Sequence, residues 1–307
     1  MAEPERIEPA SDLLAPDAQV ERLWTGAEWG EGPVWLPAER ALRWSDIPNN
    51  RILQFDATTS TTSVYATEVE YTNGRTRDLD QHVVQCSHGR RRVERDVDGV
   101  VTPVVDSFEG RRFNSPNDVV VASDGAIWFT DPPYGLHPSG REGHPGEREY
   151  DGCFVFRCVE ATGELTPVIT DMVHPNGLAF SPDERILYVA DTGLSAAEYG
   201  QTPGRAQILA WDVSADAVCS NPRFFADPDI ADGFRVDVEG RVWTSSHSGV
   251  FVYAPDGTEL LRIPLPEVVS NLTFGGEDGS DLYVTASTSL YRIRTATRET
   301  PRPGVRS

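Results

Sequence analysis

Six times along this chain an oxygen-bearing side chain opens a short run of β-forming residues. The openings read Glu31-Gly-Pro-Val-Trp, Asn73-Gly-Arg-Thr, Asn117-Asp-Val-Val-Val, Asn176-Gly-Leu-Ala-Phe, Asp232-Gly-Phe-Arg-Val and Asn271-Leu-Thr-Phe. A second run follows each opening and ends 14 or 15 residues after it, at Asp46, Ser87, Asp131, Asp191, Ser246 and Ala286. Such self-similarity predicts a closed ring of blades. Six equivalent positions would then meet at one axis, each bringing a carboxylate or an amide oxygen.

The openings lie 42, 44, 59, 56 and 39 residues apart. The short intervals suit a four-stranded blade of roughly 40–50 residues. The two long ones hold insertions, 132–152 and 192–205, rich in Gly, Pro and charge, which read as loops. Val20–Trp24 reads as a leading strand that completes the last blade and removes its open edge. The expected division is a flexible segment over 1–17, one all-β domain over 18–296 and a tail over 297–307.

Composition narrows the function. The net charge is -21 over 307 residues, so phosphate backbones are repelled and nucleic-acid binding is not expected. The chain contains no lysine, which removes Schiff-base and pyridoxal-phosphate chemistry. The first ten residues are acidic without an apolar run, and no run approaches the roughly 20 residues that span a bilayer. A cytoplasmic protein with no membrane partner is expected, a monomer or weak homo-oligomer. The four cysteines form no CxxC pair and read as reduced thiols.

Strand order places the chemistry. The first strand of a blade is innermost and the second runs antiparallel to it, so the start of one and the end of the other share a face. Glu31, Asn73, Asn117, Asn176, Asp232 and Asn271 should line the opening there. His88, Tyr134 and His247 follow second strands on the same face, and the 132–152 insertion should overhang it. Hard cations take six to eight oxygens. Glu31 and Asp232 would neutralise a divalent ion, with Asn117 and Asn176 as neutral donors. A turn reading stays open for Asn73 and Asn271, because Asn commonly bonds its own backbone at strand starts.

The motifs resemble the senescence marker protein (regucalcin), gluconolactonase and luciferin-regenerating enzyme family. The run Arg112-Phe-Asn-Ser-Pro-Asn117-Asp118-Val, then Asp124-Gly-Ala-Ile-Trp-Phe-Thr-Asp-Pro-Pro-Tyr-Gly135, is similar to the bacterial gluconolactonase signature. Also similar are Cys86-Ser-His-Gly-Arg-Arg-Arg-Val93, His174-Pro-Asn-Gly-Leu-Ala-Phe-Ser-Pro-Asp183 and Phe274-Gly-Gly. The resemblance implies a six-bladed β-propeller with a central metal site. Its ligands would be Glu31, Asn176 and Asp232, with Asn117 on metal or substrate. The ion would be calcium, zinc, manganese or iron, calcium being favoured. It implies a small-molecule lactone substrate opened by water, with Asp232 as candidate general base or as a ligand only. Asn117, Arg112, Tyr134, His88 and His247 are the expected substrate contacts. Ser87, Arg75 and Arg77 depart from the family pattern and suggest a substrate other than the common sugar lactone. Phosphotriester hydrolysis and non-catalytic metal or metabolite binding stand as alternatives.

Overall fold

The computed structural model describes the backbone of Glu5–Arg6 and residues 12–300. It is an all-β, six-bladed β-propeller. Blade one is Gly30–Leu36, Ala41–Asp46, Arg51–Asp56 and Thr61–Thr67, each strand paired antiparallel to the next. Blades two to five repeat this order from Thr72, Val119, Pro175 and Phe234. Blade six, from Val269, takes its outermost strand, Glu21–Thr25, from the beginning of the chain. That pairing joins the two ends of the propeller and leaves no unmatched edge between first and last blades.

Burial falls outward along each blade, and the sequence follows it. The second strands are buried at every position in four blades, as in Ala41-Leu-Arg-Trp-Ser-Asp46, and at all but the first in Ile186–Thr192 and Asp281–Ala286. The outermost strands are far less buried, as in Thr61-Thr-Ser-Val-Tyr-Ala-Thr67, where no residue is buried. Aromatic side chains fill the wedges between blades. Trp35 of blade one stacks on Tyr283 of blade six at 5.3 Å and 9°. Trp128 meets Phe180 edge-on at 5.2 Å between blades three and four, and Trp243 meets Phe274 at 5.6 Å between five and six. Emptying one such wedge, as in Trp243→Ala, costs about 3–5 kcal/mol.

Packed structure reaches beyond the expected domain limits on both sides. Leu13 and Leu14 are buried in the core of blades five and six, and Ala296 N donates to Leu13 O at 2.9 Å. Residues 297–300 run against blade five, where Asp237 pairs with Glu299. Two leucines in an otherwise polar leader had an apolar wedge to enter. Among the described residues no helix is long and apolar enough to cross a membrane.

Both insertions leave from the same face. One joins Ile127–Asp131 to Phe154–Val159 in blade three, and the other joins Ile186–Thr192 to Ala206–Val213 in blade four. The second contains a 3-10 segment, Gly193–Tyr199, where a plain loop was expected.

Candidate active site

Each opening residue stands where its inner strand leaves regular pairing. In blades one, two, four and six the register breaks at Glu31/Val34, Thr72/Arg75, Pro175/Leu178 and Val269/Asn271. In blades three and five the regular strand starts at Val119 and Phe234, just after Asn117 and Asp232. Such irregularities re-aim a side chain. The glycines that follow have a separate cause. A Cβ on Gly32 would lie 2.1 Å from Asn73 O, one on Gly177 2.1 Å from Asp232 O, and one on Gly233 2.0 Å from Asn271 Cγ. The inner strands converge so closely that only glycine fits. The Asn-Gly and Asp-Gly pairs therefore mark close approach between blades, and not turns.

The ends of the second strands fix the openings in place. Asp46 accepts from the backbone of Glu28 and Trp29, Asp131 from Asn114 and Ser115, and Asp191 from Val173 and His174. In all three blades these amides precede the opening residue by three and two positions. One carboxylate thus pins the approach to Glu31, to Asn117 and to Asn176.

The six openings form a continuous ring. Asn271 Nδ2 donates to Glu31 Oε2 at 2.9 Å, and Asn73 Nδ2 donates to Asn117 Oδ1 at 2.9 Å. Thr130, from the strand paired to the Asn117 segment, donates to Asn176 O at 2.8 Å. The Asn176 side chain hydrogen-bonds the Asp232 carboxylate. Gly233, beside Asp232, lies against the Asn271 amide. At the ring, Glu31 Oε1 and Asn73 Oδ1 are buried acceptors with no donor among the described residues. Such atoms are costly unless something outside the protein satisfies them.

The electrostatics agree. Burial, with Asp118 and Glu142 adding repulsion, pushes the Glu31 carboxyl up to about 7. Burial and then Glu31, Asp118 and Glu142 push Asp232 well above the usual carboxylate range. Acids so perturbed inside a cleft mark a candidate functional site. Asp118 is itself raised by burial, against the pull of Arg235. Among the described residues no three His, Cys, Asp or Glu are grouped as a metal-binding set. The ring combines two carboxylates with amide oxygens, which is hard-cation chemistry.

The insertions roof this ring. His88 is fully buried, with Nδ1 2.9 Å from the Glu142 carbonyl and Nε2 3.2 Å from Asn73 Nδ2. A carbonyl only accepts, so Nδ1 carries the proton and Nε2 accepts from Asn73. Burial lowers its pKa to about 4, in keeping with this neutral tautomer. Tyr134 hydrogen-bonds Thr192, and its ring meets His174 and Tyr199 at 5.5 and 6.0 Å. Burial and the nearby Asp232 raise the Tyr134 phenol far above its usual value. The tip of the first insertion is tied across the opening, Arg141 to Glu28 at 3.2 Å and His144 to Glu70 at 2.8 Å.

Of the side chains singled out in the sequence, Glu31, Asn117, Asn176 and Asp232 are brought together, with Tyr134 and His88 beside them. Two others stand apart. Arg112 is exposed on an outer hairpin, Ser107–Phe108 with Arg111–Arg112, its backbone held by Glu149 at 2.8 Å. His247 is exposed in the turn after Ser246. Arg75 is buried below the ring, donating to Gly32 O at 2.9 Å and Ser45 Oγ at 2.8 Å. Ser87 donates to Glu70 O at 2.9 Å. Neither faces the cup enclosed between the ring and its roof, so the departures at these two positions do not carry the inferred change of substrate. Asp118 and Glu142 were missed as site residues, and Asn271, placed at the opening, was given no role there. Asp118 follows Asn117 directly and was readable as a further carboxylate; Glu142 lies in a loop with no periodicity to place it.

Comparisons with known proteins give the family. The SMP-30/gluconolactonase/LRE-like family model matches residues 29–288. A gluconolactonase of Zymomonas mobilis is 32% identical over 321 residues, covering 95% of this chain and 85% of that one. A pentonolactonase of Haloferax volcanii is 32% identical over 273 residues, covering 86% and 83%. The solved structure of a Xanthomonas campestris gluconolactonase superposes with a TM-score of 0.88 at 38% identity, covering 96% and 95%. The chain belongs to the SMP-30/gluconolactonase/LRE-like family.

Proposed function

We propose that this protein is a lactonase that opens a sugar-type lactone at the axial ring, using one divalent cation held by Glu31, Asn117, Asn176 and Asp232. The observation that carries the reading is the pairing of the buried Glu31 carboxylate with the half-buried Asp232 carboxylate, which repel each other, among amide oxygens and beside buried acceptors that no donor among the described residues satisfies. The lactonases among its relatives supply the reaction class. Calcium is the favoured ion because the ring offers only oxygen. His88, the histidine beside it, has both nitrogens engaged.

When bound, such an ion would polarise the lactone carbonyl as a Lewis acid. The protein's own residues do the rest. Asp232 accepts the proton of the attacking water, being a carboxylate placed beside the reacting carbonyl. Asn271 holds Glu31, and the His88–Asn73–Asn117 chain orients the Asn117 amide. Tyr134 and Tyr199 wall the cup on the roof side, where a sugar ring can lie against them and bulk water is reduced. Acid release in an unbuffered assay, comparing chelated with calcium-loaded protein on glucono-δ-lactone, tests the reading. Calcium-dependent release that Asp232→Asn removes is expected. Equal, negligible rates with and without the ion would sink it.

A further inference from the structure

The carboxylates of the cup divide into two groups. Glu31 and Asp232 belong to the ring, and Asp118 lies beneath with Arg235 as counter-charge. Glu142 comes from above, at the tip of the insertion, and has no role in building the ring. Its place is fixed independently of its side chain. Its carbonyl accepts the His88 Nδ1–H at an N···O distance of 2.9 Å, and Arg141 before it and His144 two residues on are tied to Glu28 and Glu70. Gly143 is wedged so closely that a Cβ would lie 2.2 Å from Gly135 O.

The Glu142 carboxylate has no hydrogen-bond donor among the described residues, yet its charge is felt by Glu31 and Asp232 below and by Tyr199 beside it. Glu198, from the second insertion, adds a further negative charge close to it. The adjacent cation, Arg141, lies close enough to favour the charged form of Glu142 and is shared with Glu28 at 3.2 Å. Once a divalent ion compensates Glu31 and Asp232, the roof is left net negative, Glu142 and Glu198 standing against the one guanidinium of Arg141 that Glu28 also shares. An ionised roof acid accepts charge-assisted hydrogen bonds from hydroxyl groups and repels anions.

Building on the lactonase reading, we propose that Glu142, backed by Glu198, is a specificity-determining wall. It selects uncharged polyhydroxylated lactones and rejects those bearing a phosphate, sulfonate or second carboxylate.

The test compares kcat/KM for glucono-δ-lactone and its 6-phosphate in the calcium-loaded wild type, Glu142→Gln and Glu198→Gln. It also measures binding of gluconolactam and gluconolactam 6-phosphate by calorimetry. Wild type should favour the uncharged member of each pair by about 10-fold or more, and Glu142→Gln should narrow that ratio by about 10-fold. Glu198→Gln, an exposed change that leaves folding intact, should narrow it less. A ratio unchanged in both variants, or wild-type preference for the phosphorylated member, overturns the proposal, as does absence of lactam binding. If the lactams are discriminated as expected while neither lactone is turned over, the wall stands and the lactonase reading falls.

Discussion

Asn271 and Glu31 are 240 residues apart in sequence, and their side chains meet at 2.9 Å across the junction that closes the propeller. The Asn271 amide donates to Glu31 Oε2, which also takes the Gly32 backbone N–H. The other oxygen, Oε1, has no donor among the described residues. The contact thus decides which oxygen of Glu31 is presented to the cup. It also links the site to closure, because Asn271 lies in blade six and Glu31 in blade one.

Removal of this donor should therefore weaken the site without emptying it. Asn271→Ala is expected to lower calcium affinity by about 10–100-fold, the usual effect of losing a partner that orients a ligand. Asn271→Asp should do at least as much harm, since a carboxylate there faces Glu31. Calorimetric titration with calcium checks both; affinities matching wild type would remove Asn271 from its positioning role.

The Asp131 carboxylate gives a stability prediction. It accepts from Asn114 N at 2.7 Å and Ser115 N at 2.8 Å and also from the Tyr150 hydroxyl, all in the buried approach to Asn117. Asp131→Ala strands these donors, at about 1–3 kcal/mol for each one left unmet. A loss of about 3 kcal/mol or more in denaturant unfolding is expected. Loss below about 1 kcal/mol would mean that water replaces the carboxylate and that the pinning is incidental.

Much of this arrangement was legible in the chain. Six oxygen-bearing openings with a fixed distance to the next strand end fixed the blade count, and strand alternation put Glu31, Asn117, Asn176 and Asp232 on one face. What could not be read was which same-face residues turn inward. Arg112 and His247 sit near the right end of their blades but on the exposed side, because an outer hairpin and an unhindered turn carry them away from the axis. For Asn271 a turn reading stayed open beside its place at the opening, because its partner Glu31 lies in a blade at the other end of the chain. Glu142 depends on the path of an insertion, which His88, Glu28 and Glu70 direct from three distant segments.

The acid ring makes a prediction about pH and metal. Glu31 is raised by burial from 4.5 to about 7. A carboxyl that holds its proton more tightly when folded contributes stability that is whole below its unfolded pKa. That stability is lost as pH rises through the folded value. Asp232 is raised too and adds to the same trend. Chelated protein should therefore melt at lower temperature as pH climbs from about 6.5 to 8.5, a window above the unfolded pKa of histidine. Glu31→Gln should flatten the slope, and calcium should restore more stability at pH 8 than at pH 6.5. A chelated melting temperature that is level or rising across this window would contradict the assigned coupling.

His88 sets the opposite limit, on the acid side. It is buried and neutral, and burial lowers its pKa from 6.5 to about 4. A base that resists protonation when folded contributes stability that is whole above 6.5. It declines as pH falls toward 4, because the unfolded chain binds the proton first. That gap corresponds to about 3 kcal/mol. Protonation of Nε2 would also set a donor against Asn73 Nδ2, the donor it now accepts from, and so break the link between the ring and the Glu142 carbonyl. His88→Gln keeps a polar group in place and cannot titrate. Between pH 6.5 and 4, wild type should lose about 3 kcal/mol more stability than this variant, and amide exchange in the 132–152 insertion should accelerate over the same range in wild type alone. Parallel acid profiles for the two proteins would show that His88 does not hold the roof to the ring.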